Sequence, residues 1–184
     1  MSRLKLFIPV IIFAVIGVSL FILNKNNHGS SVLPSMLVGR QFPAFSLNGV
    51  EDPYRVITEK DIEGEWAIVN VWGTWCPTCR AEHAYLMMLK NRGIKIIGIN
   101  SADEDQNAAR QWLDRFGNPS VFNIADIENK LCIDLGVYGA PETFLINPDG
   151  VILHRHVGEL NERVWQKEFL PLMEDNNKVT QASE

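Results

Sequence analysis

The sequence predicts an α/β domain, with a central mixed sheet flanked by helices, behind an N-terminal transmembrane helix. Three observations predict it. Short apolar runs alternate with stretches of helical character, the pattern of strands joined by crossover helices. The turn signal "NPDG" between two apolar runs marks a hairpin, so part of the sheet is antiparallel. An uncharged apolar run occupies residues 6–23.

That run, "LFIPVIIFAVIGVSLFIL", rises about 27 Å as a helix, close to the ~30 Å hydrocarbon core of a bilayer. A cleaved signal peptide would have a shorter apolar run and a small-x-small site; "NKNNHGS" follows instead. Arg3 and Lys5 outweigh Lys25, so the positive-inside bias puts the N-terminus in the cytoplasm and the domain outside. Residues 1–23 therefore read as cytoplasmic N-terminus plus anchor. Residues 24–37 read as a polar linker, 38–174 as the folded domain and 175–184 as a flexible tail.

Within the domain, residues 42–47 read as a short strand or extended segment and "EWAIVNV" (65–71) as a buried strand. A helix starts near Cys76 with Pro77 in its first turn, runs to about Asn91 and stops at Gly93. "IKIIGI" (94–99) is a second buried strand, and residues 103–116 are a helix with an acidic first turn. A short strand at 121–124 and a short helix at 127–135 follow. Strands at 143–146 and 151–157 flank the hairpin turn. A closing amphipathic helix covers 161–174, with Pro171 expected to break it early.

The chain has 184 residues, 46% apolar and 21% charged, enough for one ordinary core. A net charge of -5 without a basic stripe argues against nucleic acid as a partner.

Chemistry concentrates in "VWGTWCPTCRAEHAYL", residues 71–86. Two cysteines two residues apart can clip a metal, staple a fold or exchange electrons. A structural zinc site takes about four ligands, and Cys132 has no partner at metal spacing. A disulfide across two residues closes a tiny loop and restrains little unfolded-chain entropy. Position favours electron exchange, because the pair follows a buried strand and opens a helix. The free N–H groups and dipole there stabilise a thiolate. Cys76 is then the accessible nucleophile and Cys79, one turn on, the more buried resolving thiol. Pro77 stiffens the turn, and Trp75 shields the pair and offers apolar surface to a polypeptide. A Cys76–Cys79 redox disulfide needs no cofactor and no metal.

"NVWGTWCPTCRAEH" together with "GVYGAPETFLI" closely resembles the CcmG/DsbE family of cytochrome c maturation proteins. The resemblance covers residues 38–173 and extends to the anchor. It implies a thioredoxin-like fold, tethered to the bacterial inner membrane by a single pass, with its catalytic domain in the periplasm. It implies a thiol:disulfide interchange protein that keeps the haem-binding cysteines of apocytochrome c reduced. The implied partners are apocytochrome c, or the protein presenting its thiols, and a transmembrane thiol reductant as electron donor. It also implies a cis bond at Pro141, whose loop lies beside Cys76, with Tyr138 and Glu142 bordering the groove.

Many thioredoxins carry a buried Asp six residues before the first cysteine; here that position is Asn70, which takes no proton. Glu82, one turn past Cys79, is the nearest candidate for proton transfer or tuning, and Glu142 the second. A carboxylate near the pair weakens the thiolate and favours a reducing protein. Arg80 and His83 read as surface residues, although His83 is four residues from Cys79. Cys132 reads as a buried small apolar residue. His154 and His156 share one strand face, with solvent as the default.

Two other functions compete. A general TlpA/ResA-like disulfide reductase would act on other substrates. A copper-delivery module would use the thiolates and a distal histidine, but it takes a longer cysteine spacing.

Overall fold

The computed structural model describes residues 12–19 and 37–174. The chain divides into two compact units, Met1–Pro34 and Ser35–Glu184. In the first, residues 12–19 are helical and expose apolar side chains such as Phe13 and Val15. Among the described residues no helix is long and apolar enough to cross a membrane. Most of the expected span 6–23 lies outside the described residues, as do nearly all of the linker and the tail.

The second unit holds a five-stranded sheet. Its strands are β3 (Ala67–Trp72), β4 (Lys95–Ser101), β5 (Phe122–Asp126), β6 (Glu142–Ile146) and β7 (Ile152–Val157), after a small hairpin of β1 (Ser46–Asn48) and β2 (Val56–Thr58). The order across the sheet is β5-β4-β3-β6-β7. β3, β4 and β5 run parallel; β6 and β7 are antiparallel, as the hairpin signal predicts. The segment read at 42–47 becomes a strand only at its end, in β1; β2 and the 3-10 turn Glu59–Asp61 were not predicted, being three residues each and too short for periodicity to show.

Helix α1 (Pro77–Asn91) follows β3, and Gly93 ends it with φ 84°, a conformation that suits glycine. Helix α2 (Gln106–Phe116) starts three residues later than expected. Asp105 caps it by accepting the N–H groups of Asn107 and Ala108, and Asp103 is released for another task. Helix α3 shrinks to Lys130–Asp134; the Asp126 carboxylate accepts the N–H groups of Leu131 and Cys132 and fastens its first turn. Helix α4 begins at Glu162–Val164, widens into a π turn at Trp165–Phe169 and stays helical to residue 174. Pro171 therefore does not break it. The widened turn just before Pro171, with Leu170 N–H bonded to Trp165 O, absorbs the missing donor.

β3 is buried on both faces, and its alternation sorts the core. Val69 and Val71 pack with Ile97, Ile99, Phe144 and Ile146. Ile68 packs on the other face with Leu86 and Leu89 of α1 and Trp165 and Phe169 of α4. Asn70 takes its place in the second row, between Ile68 and Trp72, where an apolar residue would ordinarily stand.

Candidate active site

The chain leaves β3 through Gly73, Thr74 and Trp75. Gly73 has no room for a Cβ, because the Trp75 indole folds back against it. The indole Nε1 donates to Ser101 O at 3.0 Å. Asp103 grips the loop: Oδ2 accepts from Thr74 N (2.8 Å) and Asn100 Nδ2 (2.6 Å), and Oδ1 from Thr74 Oγ1 (2.6 Å).

Cys76 is the N-cap of α1, with Pro77 at the first helical position. Its Sγ accepts the Cys79 N–H at 3.0 Å, where a Ser or Asp oxygen ordinarily serves. The two cysteines form a disulfide with Cα atoms 5.3 Å apart. Cys76 is only 4% exposed and Cys79 2%. The expected accessible Cys76 is corrected for this oxidised state: both cysteines belong to one buried cluster with Trp72, Val50, Ala109 and Leu113. Trp75, by contrast, is 52% exposed and Pro77 is on the surface.

Glu82 has no solvent exposure. Its Oε1 accepts from Asn70 Nδ2 (2.8 Å), and its Oε2 from the Leu160 N–H (2.7 Å). Asn70 also donates to Thr143 Oγ1 at 3.1 Å. Burial pushes the Glu82 carboxyl up to about 7, against the pull of its two hydrogen bonds. A cavity of about 10 Å³, the space of one water, opens between Asn70, Cys79, His83 and Trp112. His83 is buried rather than on the surface. Its Nε2 lies 3.1 Å from Phe116 O, its ring meets the Trp112 edge, and burial lowers its pKa. A signal for both residues was present: Cys79, Glu82, His83, Leu86 and Leu89 fall on one helical face. Arg80 is exposed, as expected, and stacks over Phe116.

Pro141 follows a cis peptide bond from Ala140 and is buried, so it backs the groove rather than lining it. Its carbonyl accepts from Gly158 N–H at 3.0 Å. Ala140 packs against the cluster that holds the cysteines. Among the described residues, the backbone groups of Gly139 and Ala140 carry no hydrogen bond. Tyr138 is 62% exposed. Glu142 is buried, in an ion pair with Arg155, and accepts from Tyr138 N–H at 3.1 Å.

Cys132 is fully buried, as expected, and burial pushes its thiol up to about 12. His154 and His156 do not simply face solvent. His154 Nε2 (3.2 Å) and His156 Nδ1 (2.9 Å) both meet Glu168 Oε2, because α4 packs over that face of β7. Sequence reasoning missed Asp103 and Arg155 as site residues; both act through partners far along the chain, which spacing does not show.

The Redoxin family matches residues 37–169. The thiol:disulfide interchange protein DsbE of Pseudomonas aeruginosa is 47% identical over 172 residues, covering 94% of each chain. DsbE of Escherichia coli K12 is 44% identical over 183 residues, 97% of this chain and 98% of that one. A solved secreted thiol-disulfide isomerase from Corynebacterium glutamicum superposes with a TM-score of 0.66 at 21% identity, over 80% of this chain and 96% of that one, and shows the thioredoxin-like fold. A cysteine pair capping a helix, in that fold and among those relatives, places this chain in the DsbE/CcmG family of thiol:disulfide interchange proteins, redox enzymes of the thioredoxin superfamily.

Proposed function

We propose that the chain is a reductant in the bacterial periplasm, tethered to the inner membrane by residues 6–23, that keeps the haem-binding cysteines of apocytochrome c reduced. The observation that carries the electron direction is the buried Glu82 carboxyl, one turn past Cys79 and poised near neutrality. A carboxylate there disfavours a stable thiolate and so favours the disulfide form of the protein.

The reduced pair starts the cycle. The Cys76 thiolate, supported by the N-terminal N–H groups of α1, attacks one sulfur of the substrate disulfide. A mixed disulfide forms and the first substrate sulfur leaves as a thiol. Glu82, one helical turn on, takes the Cys79 proton. The Cys79 thiolate then attacks Cys76 Sγ, closing the Cys76–Cys79 disulfide and releasing the second substrate thiol. Two electrons pass to the substrate, and a transmembrane thiol reductant restores the pair. Trp75 and Tyr138 offer apolar surface to the polypeptide, and the open backbone of Gly139 and Ala140 pairs with it.

The test is a trap. Cys79→Ala lacks the resolving thiol, so Cys76 retains its partner as a mixed disulfide. Mass spectrometry of the trapped species recovers apocytochrome c or the protein that presents it. Recovery of unrelated disulfide proteins alone would instead establish a general TlpA/ResA-like reductase.

A further inference from the structure

We propose that Arg155 is a positioning residue for the substrate groove, and that Glu142 is the anchor it grips rather than a second proton carrier. The inference rests on thiol exchange with a polypeptide, whichever way the electrons run.

The register of the sheet separates the two carboxylates. Thr143 pairs with Asn70 and bonds to it, so it stands on the face of Asn70 and Glu82. Glu142 pairs with Val71, one residue along, and therefore stands on the opposite face with Phe144. The sheet lies between Glu142 and the Asn70–Glu82 pair.

Arg155 pairs with Phe144 and shares that second face. Its Nε donates to Glu142 Oε2 at 2.7 Å, and a terminal nitrogen lies 2.6 Å from the same oxygen. The terminal nitrogen also donates to Gly136 O at 2.8 Å. Glu142 Oε1 takes the Tyr138 N–H. The guanidinium stands 5.2 Å from the Tyr138 ring centroid and 5.7 Å from that of Phe144. One buried side chain thus ties both ends of the 136–142 loop and backs the exposed aromatic in its middle. Both Glu142 oxygens are committed to holding. The same loop carries the open backbone of Gly139 and Ala140, and Ala140 packs against the cluster that holds the cysteines. A lysine supplies a point charge without the planar fork, and cannot make this set of contacts.

Loss of Arg155 therefore moves the part of the groove that a polypeptide touches, and leaves Cys76, Cys79 and Glu82 in place. The experiment uses the full chain in detergent with two substrates: a short peptide closed by a Cys-x-x-Cys-His disulfide, and a small aromatic disulfide without a backbone. In Arg155→Lys, the peptide KM rises about tenfold at unchanged kcat, and the small disulfide reacts at the wild-type rate. The double variant Arg155→Met, Glu142→Gln removes both buried charges, which guards against unfolding from one orphaned charge. It shows the same split, with wild-type circular dichroism. A wild-type peptide KM in the double variant overturns the inference. So does a parallel fall in kcat for both substrates, which would put the pair in the chemistry. The wild-type equilibrium with the peptide separately reads the direction of electron flow.

Discussion

Glu82 carries a charge cost that can be read as a pH dependence. Unfolded, its carboxyl loses its proton near the ordinary 4.5; folded, it holds it to about 7. Between those values the native state binds more protons than the unfolded chain, so this group's contribution to stability falls as pH rises, by at most about 3 kcal/mol, and is flat above 7. Glu82→Gln removes the dependence, with the Asn70 amide turned to match. In urea titrations the variant gains on wild type steadily from pH 4.5 to 7. Taking the difference cancels the opposing slope from His83, whose lowered pKa makes it lose stability as pH falls below its ordinary 6.5. The same variant slows resolution of the mixed disulfide about 10²-fold or more and removes the inflection near pH 7, as loss of a general base requires. Asp103→Ala frees Thr74 N–H and Asn100 Nδ2, which costs about 1–3 kcal/mol. Trp75 fluorescence should report the loosened loop. An unchanged Trp75 spectrum and melting point would remove Asp103 from this role.

At the scale of elements, what was legible in the sequence is what periodicity and caps encode. β3, β4 and both ends of α1 stand where apolar runs, Pro77 and Gly93 put them. The failures have physical causes. Asp103 and Asp105 look alike as acidic residues of a first turn, but only Asp105 reaches the helix N–H groups. Pro171 looks like a stop, yet a π turn upstream removes the conflict. The cysteine pair was legible because its chemistry is local; Asp103 and Arg155 were not, because their partners come from other strands and loops. α1 is clamped to the sheet by Leu86 and Leu89. Leu89→Ala should cost about 2–5 kcal/mol in urea unfolding while leaving the peptide KM unchanged. A raised KM there would mean that groove position depends on core packing in general.

For the whole molecule, the division at Pro34–Ser35 sets a prediction about anchoring. A chain beginning at Ser35 should fold and exchange thiols at the wild-type rate, and, led by a cleavable export signal in place of residues 1–34, it should be recovered in the soluble fraction if the proposed anchor is the one that holds it. Retention at the membrane would move the anchor elsewhere in the chain. Within the second unit, the sheet keeps Glu82 and the Arg155–Glu142 pair on opposite faces. That partition works as insulation. Substitutions on the two sides should combine additively to within about 0.5 kcal/mol, since they share no partner. Relatives could then alter proton handling behind one wall and substrate fit behind the other, and neither change would have to wait for the other.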